Sequence, residues 1–203
     1  HRLTTHPGPF HVLGSPHAHV VDKTIIGLER HSELWDLMGY DPSYDNKINI
    51  HIAGAYGDRQ STAKRWINGY YRLSEECRAR LVVENDDKPS LYSVRQLYDL
   101  FHKEVGIPIT FDYHHHWCHP GELTQEEALK MASTTWPKGV KQLCHYSSCK
   151  QIHEDASVMA RAHADYIYEH INTYGLNLDI ELEAKAKELA VQKYVKQFIN
   201  ELV

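Results

Sequence analysis

Short apolar runs alternate along the chain with longer amphipathic stretches, and the alternation repeats six times. The runs at 2–5, 48–52, 81–84, 108–112, 140–145 and 178–182 have strand length. Pro108 stands at the first position of its run, where a missing N–H costs the ladder least. Between them the spacing predicts helices. One covers 18–38, with Ile25, Ile26, Leu28 and Leu34 as its apolar side and Gly39 to end it. Residues 41–47 read as loop. Helical sequence then follows the second strand to about residue 80, with a break near Leu73-Ser74. Another helix covers 93–105 and stops at Gly106. A further one begins near Thr124, where Glu127 three residues on gives capping-box spacing. The last, over 184–202, is rich in Ala, Lys, Glu and Leu, all good helix formers.

A repeated strand-then-helix order predicts an α/β fold with a parallel sheet. A β/α (TIM) barrel fits better than a doubly wound sheet, because no GxGxxG or Walker pattern follows any strand. A complete barrel has eight units in about 250 residues. Six are visible here, so the expectation is a single barrel domain over 1–203 that lacks the first two units. The start at His1-Arg2-Leu3, already inside a strand, agrees with that.

The ends of the runs carry the chemistry. His6, His51, Glu84, Asp112, His145 and Glu183 all fall at or just after a strand end. In a barrel these ends open on one face. A lone histidine there is ordinarily structural, and a lone glutamate ordinarily pairs with a surface cation. A carboxylate behind Leu81-Val82-Val83 is nevertheless costly unless it is paired or metal-bound. The repetition on one face favours a metal centre.

His115, three residues after Asp112, can be aimed at the same ion by the turn leaving the strand. His163 is either a ligand or a plain helical histidine. The neighbouring His116, Cys118 and His119 offer an alternative zinc site, but the other candidates are all N and O donors, which suit manganese or zinc. Up to three divalent ions in one cluster suit phosphate-ester cleavage.

Composition changes the picture in two places. The chain holds 16 histidines, far more than average usage provides. Its formal net charge of −5 argues against holding nucleic acid by global charge, though not against a local groove whose sign bound cations would alter. The four cysteines form no CxxC pair and read as free thiols. No apolar run approaches the roughly 20 residues of a membrane helix. Arg59, Lys64, Lys88, Lys150 and especially Lys185 are candidates for phosphate contact. Tyr56 and Trp117 could line a groove or pack in the core.

These stretches together resemble the ultraviolet damage endonucleases. The resemblance rests on His6-Pro7-Gly8-Pro9-Phe10, Asp36-Leu37-Met38-Gly39, His51 with Gly54-Ala55-Tyr56-Gly57-Asp58, and Val83-Glu84-Asn85-Asp86-Asp87. It continues in Phe111-Asp112-Tyr113-His114-His115, His145-Tyr146-Ser147-Ser148, His163-Ala164-Asp165-Tyr166 and Asp179-Ile180-Glu181-Leu182-Glu183-Ala184-Lys185. It implies an intracellular, monomeric enzyme on a barrel of the endonuclease IV and xylose isomerase type. That enzyme nicks damaged double-stranded DNA 5′ to cyclobutane dimers and 6-4 photoproducts, leaving 3′-hydroxyl and 5′-phosphate ends. It further implies a three-ion centre, with manganese expected and zinc as the alternative, held by His6, His51, Glu84, Asp112, His115, His145, His163 and Glu183.

Among these, Glu84, His51 and Glu183 are assigned the catalytic role; Pro9, Phe10, Tyr56 and Lys185 are assigned to DNA. Two departures stand out. Pro9-Phe10 replaces the family's usual Gln-Tyr probe, and Leu143 occupies a position where some members carry a modified lysine ligand, which predicts weaker occupancy of one metal position. The competing readings are a metal-dependent sugar isomerase or epimerase on the same barrel, and a non-catalytic metal- or DNA-binding module.

Overall fold

The computed structural model describes residues 2–199. Six parallel strands form one sheet in sequence order: β1 (Leu3–Thr5), β2 (Asn46–His51), β3 (Leu81–Glu84), β4 (Ile109–Asp112), β5 (Leu143–Tyr146) and β6 (Asp179–Leu182). All six predicted strands are present, with ends shifted by up to three residues. Helix α1 (Ala18–Leu37) joins β1 to β2, and α2 (Arg59–Tyr70) and α3 (Glu75–Arg78) join β2 to β3. The break between α2 and α3 falls at Leu73-Ser74 because Ser74 caps α3, its hydroxyl accepting from Cys77 N at 3.1 Å.

The next connection is α4 (Val94–Leu97), a π-helical turn (Tyr98–His102) and α5 (Lys103–Val105), closed by Gly106 at φ +71°. Helix α6 (Tyr113–Cys118) grows directly out of β4. The predicted capping box starts α7 (Gln125–Ser133): Glu127 Oε2 accepts from Thr124 N at 2.9 Å. The short α8 (Lys150–His153) follows β5. The last helix, α9 (Glu188–Tyr194), begins four residues later than predicted, because Ala184–Lys187 fold back in a turn that bonds Lys185 N to Ala164 O. It continues as a π-helical turn (Val195–Ile199), and the predicted end at 202 lies outside the described residues.

Strands β2, β3 and β4 are buried along almost their whole length, as expected where helices cover one face of a parallel sheet and the curl closes over the other. Alternation divides them cleanly. Ile48, Ile50, Leu81, Val83, Ile109 and Phe111 face outward into the main core with Trp66, Leu97 and Phe101. Val82 and Leu143 belong to a separate small cluster with Trp136. Lys47, Asn49 and His51 alternate with the outward residues of β2.

The register sets the curl. His51 pairs with Glu84, Glu84 with Thr110, Asp112 with His145, and His145 with Glu181. The ligand candidate therefore steps two residues along the strand at β3–β4 and again toward Glu183, the stagger that tilted barrel strands require. The curl brings the outer strands together, with Arg2 Nη2 donating to Asp179 Oδ1 at 2.7 Å. Among the described residues the architecture is six strands of a barrel.

Candidate metal centre

Glu84 is the hub. It closes β3, has no solvent exposure, and stands at the floor of the bowl formed by the strand ends. Its Oε2 lies 3.2 Å from His6 Nε2 and 3.2 Å from His145 Nδ1. Its Oε1 lies 3.2 Å from His115 Nδ1 and 4.0 Å from His51 Nε2. Four histidines from four elements thus converge on one carboxylate. Asp112 N-caps α6, accepting from His115 N at 2.7 Å, and the same short helix swings His115 back over Asp112. The predicted turn at this point is therefore a helix, and the cap is what fixes the Asp112 and His115 pairing. On the far side, His145 Nδ1 lies 3.3 Å from Glu183 Oε1, and His163 Nδ1 lies 3.5 Å from Glu183 Oε2.

The electrostatics follow from this crowding. Burial alone would raise the Glu84 pKa, but the His145 and His51 charges and hydrogen bonds from His115 and His145 hold it well below the usual carboxylate range. Burial would also depress His51 and His115. The Glu84 charge and the Asp86 hydrogen bond instead lift His51 to about 9, and Asp112 and Glu84 lift His115 to about 10. Asp112 is pushed up by burial. Glu183 is lowered, its burial outweighed by the His145 hydrogen bond. His114 and His116 fall to about 4 because burial excludes their charged forms.

Three groups of donors lie close enough to hold a cation: His6, Glu84 and His145; His51, Glu84 and His115; and Asp112, His145 and Glu183. Within each, the ligand atoms lie within 4.8 Å of one another. Glu84 and His145 each serve two groups. The fit to divalent cations has a second sign: Glu84 Oε1, Asp112 Oδ2, His51 Nδ1 and both His145 ring nitrogens are buried, and none of them makes a hydrogen bond of good geometry among the described residues, their nearest polar neighbours being the other groups of the cluster and its flanking carboxylates. Buried polar atoms are rarely left so, and here they converge. The alternative trio of His116, Cys118 and His119 is not among these groups.

A cleft of about 330 Å³ beside the centre has Pro9, His11, His51, Asp86, Lys88 and His115 among its lining. Phe10 projects beside it, 87% exposed, and Tyr56 is 49% exposed at φ +48°. Lys185 is exposed just after Glu183. Trp117 is half exposed and stacks on His114 at 5.7 Å, so it is no core residue. Two basic candidates are otherwise engaged: Arg59 donates to the Pro89 and Leu91 carbonyls, and Lys150 pairs with Asp165 and Glu154. Lys64 and Lys88 are exposed.

A sequence model of the family described as UV-endonuclease UvdE matches residues 1–202. The UV-damage endonuclease of Neurospora crassa is 36% identical over 214 residues, covering 98% of this chain and 31% of that protein. The chain belongs to the UvdE family. The UV DNA damage endonuclease of Bacillus cereus (strain Q1) is 34% identical over 211 residues, covering 99% of this chain and 62% of its own length. The chain thus spans about a third of the fungal relative and under two thirds of the bacterial one. The crystal structure of SacUVDE superposes with a TM-score of 0.84 at 30% identity, over 99% of this chain and 66% of that one. D-psicose 3-epimerase from Clostridium cellulolyticum H10 superposes with a TM-score of 0.54 at 12% identity, over 73% of this chain and 52% of that one, a likeness of fold alone.

In this UvdE chain all eight predicted ligands lie in one connected cluster. Sequence reasoning missed the residues that hold them. Asp86 Oδ1 lies 3.1 Å from His51 Nδ1, Asn49 donates to Glu84, and Asn85 exchanges two bonds with the Asp112 backbone at 2.9 and 3.0 Å. The Asn85 carbonyl oxygen lies 2.9 Å from His115 Nδ1, and Glu181 Oε2 lies 3.6 Å from His145 Nε2. Strand alternation was the available signal for Asn49 and Glu181, each two residues before a ligand on the same face. Leu143 also shares a face with His145 but packs on Val82 and Trp136 beneath the centre.

Proposed function

We propose that this UvdE chain carries the centre of a metal-dependent DNA repair endonuclease that hydrolyses the phosphodiester bond 5′ to UV photoproducts. Its substrates are cyclobutane dimers and 6-4 photoproducts in double-stranded DNA, and its products are 3′-hydroxyl and 5′-phosphate ends. The observation that carries this reading is the sharing of Glu84 and His145 among three donor groups whose buried oxygens and nitrogens converge on one another. Such sharing suits up to three ions a few ångströms apart, and the mixed histidine and carboxylate set suits manganese, with zinc as the alternative. The ligands are His6, His51, Glu84, Asp112, His115, His145, His163 and Glu183. What divalent ions add there is polarisation of the phosphoryl oxygen, a lower pKa for the attacking water and neutralisation of the leaving oxygen.

The chain's own groups do the rest. Asp86 and Asn85 fix the His51 and His115 rings, and Asn49 orients Glu84. Glu84, His51 and Glu183, at the centre, are the groups nearest the reaction. Pro9, Phe10, Tyr56 and Lys185 meet the DNA: Phe10 and Tyr56 offer exposed rings for base stacking, and Lys185 offers a cation to phosphate. The protein acts as a monomer. No helix among the described residues is long and apolar enough to cross a membrane.

The test is an end-labelled duplex with one thymine dimer, incubated with manganese and the protein beside an undamaged control. The expected product is a single nick immediately 5′ to the dimer, abolished by chelator. Equal cutting of both duplexes, or none with metal bound, overturns the reading.

A further inference from the structure

We infer that His11 is a positioning residue for lesion discrimination, seated in a slot on α1 that Gly27 keeps open, and that this seat holds the exposed Phe10 in place. The inference rests on the proposed role of Phe10 in meeting DNA.

The segment from Pro7 to Phe10 has no strand or helix of its own, and Gly8, Pro9 and Phe10 are exposed. A probing side chain on such a segment wedges or stacks only if its base is held. The hold comes from the next two residues. His11 Nδ1 lies 3.0 Å from the Gly8 carbonyl oxygen, and the His11 amide donates to the same oxygen at 3.4 Å, which closes a tight turn around Pro9 and Phe10. The other end of the ring reaches α1. A Cβ built on Gly27 would come within 2.5 Å of His11 Nε2 and 3.0 Å of Cδ2, so only glycine admits the ring in this position. One turn further along α1, His31 meets the same ring edge-on, with centroids 5.8 Å apart at 71°. Val12 N then donates to Thr24 Oγ1 of α1 at 2.9 Å, and Leu13 enters the core. His11 and Val12 thus fasten the turn to one helix, Leu13 anchors it in the core, and His11 also borders the cleft beside His51 and His115.

Alanine is a better helix former than glycine in a helix interior, so Gly27→Ala should leave the fold at least as stable while displacing the His11 ring. That separates loop placement from global stability. The experiment measures three things for the unaltered protein, Gly27→Ala, His11→Ala and the double variant. They are the melting temperature, hydrogen exchange over residues 7–13, and binding preference for a thymine-dimer duplex over the undamaged duplex in calcium.

The expected result for Gly27→Ala is an unchanged or raised melting temperature, faster exchange at His11 and Val12, and a preference lowered about tenfold, the order of one lost base–aromatic stack. In the His11→Ala background, Gly27→Ala should add nothing, because its effect passes through the ring. Unaltered exchange and preference in Gly27→Ala, or additive effects in the double variant, overturn the inference. Absence of any lesion preference in the unaltered protein counts against the endonuclease reading and against His11 as a discriminating residue. The exchange data then decide the anchor by itself.

Discussion

Glu84 Oε2 lies 3.2 Å from His145 Nδ1 although β4 separates their strands. Only strong curling of the sheet brings β3 and β5 side chains into contact across the bowl. The same curl carries His6, which directly follows the outer strand β1, to within 3.2 Å of the same oxygen. The centre is therefore a product of barrel curvature and register, and not of any local motif.

Removing the charge at the hub should cost both stability and metal binding. Glu84→Gln takes away the carboxylate that offsets the His51, His115 and His145 charges, so the chelated protein should melt at a lower temperature. The gain in melting temperature on adding manganese should disappear, where a site held at 100 times its Kd would gain about 2.7 kcal/mol. Differential scanning calorimetry with and without metal checks both. A retained metal-induced shift would contradict the placement of Glu84.

The raised histidine pKa values fix a pH dependence. His51 at about 9 and His115 at about 10 stand above the ordinary ~6.5 of the unfolded chain. Their contribution to stability is complete below about pH 6.5 and is lost as pH rises through about 9 and 10. Chelated protein should therefore lose stability from near-neutral to alkaline pH. Manganese affinity should rise over the same window, because cations compete with those protons. Thermal melts in chelator across that window and titration calorimetry in buffers of different ionisation enthalpy report both. Affinity independent of pH, with no proton release, would be the contrary result.

Phe10 makes no core contact, so Phe10→Ala should leave stability within about 0.5 kcal/mol. Affinity for a dimer-containing duplex should fall by the ~1–3 kcal/mol of one stacked base, with little change for undamaged DNA. Fluorescence anisotropy on the two duplexes reads the difference. Equal loss on both would make Phe10 a general contact.

The alternative zinc trio is also open to test. Cys118→Ser should leave metal stoichiometry and nicking unchanged, because Cys118 lies outside the three donor groups. Loss of one bound ion by elemental analysis would restore that alternative.

Most of the architecture was legible from periodicity. Six apolar runs gave six strands, and Gly39, Gly106 and the Thr124–Glu127 box ended or began helices where expected. What was not legible lay where tertiary contacts override local preference. Tyr113–Cys118 is a histidine-rich stretch with little helical bias, made helical by the Asp112 cap. Ala184–Lys187 are good helix formers held in a turn against Ala164 and Asp165. Six of the ligand candidates were readable because each ends or directly follows an apolar strand; His115 was readable from its spacing to Asp112, and His163 only through the family resemblance. Their supports, Asp86 and the Asn85 carbonyl, were not, because loop backbone direction leaves no trace in periodicity.

Anomalous diffraction at the manganese edge, from crystals of the protein grown with that ion, tests the central claim most directly. The account predicts manganese density among His6, His51, Glu84, Asp112, His115, His145, His163 and Glu183, at positions within reach of the donor groups that share Glu84, and one position less occupied, since Leu143 supplies no ligand. Density at His116, Cys118 and His119 instead, or none near Glu84, would contradict it.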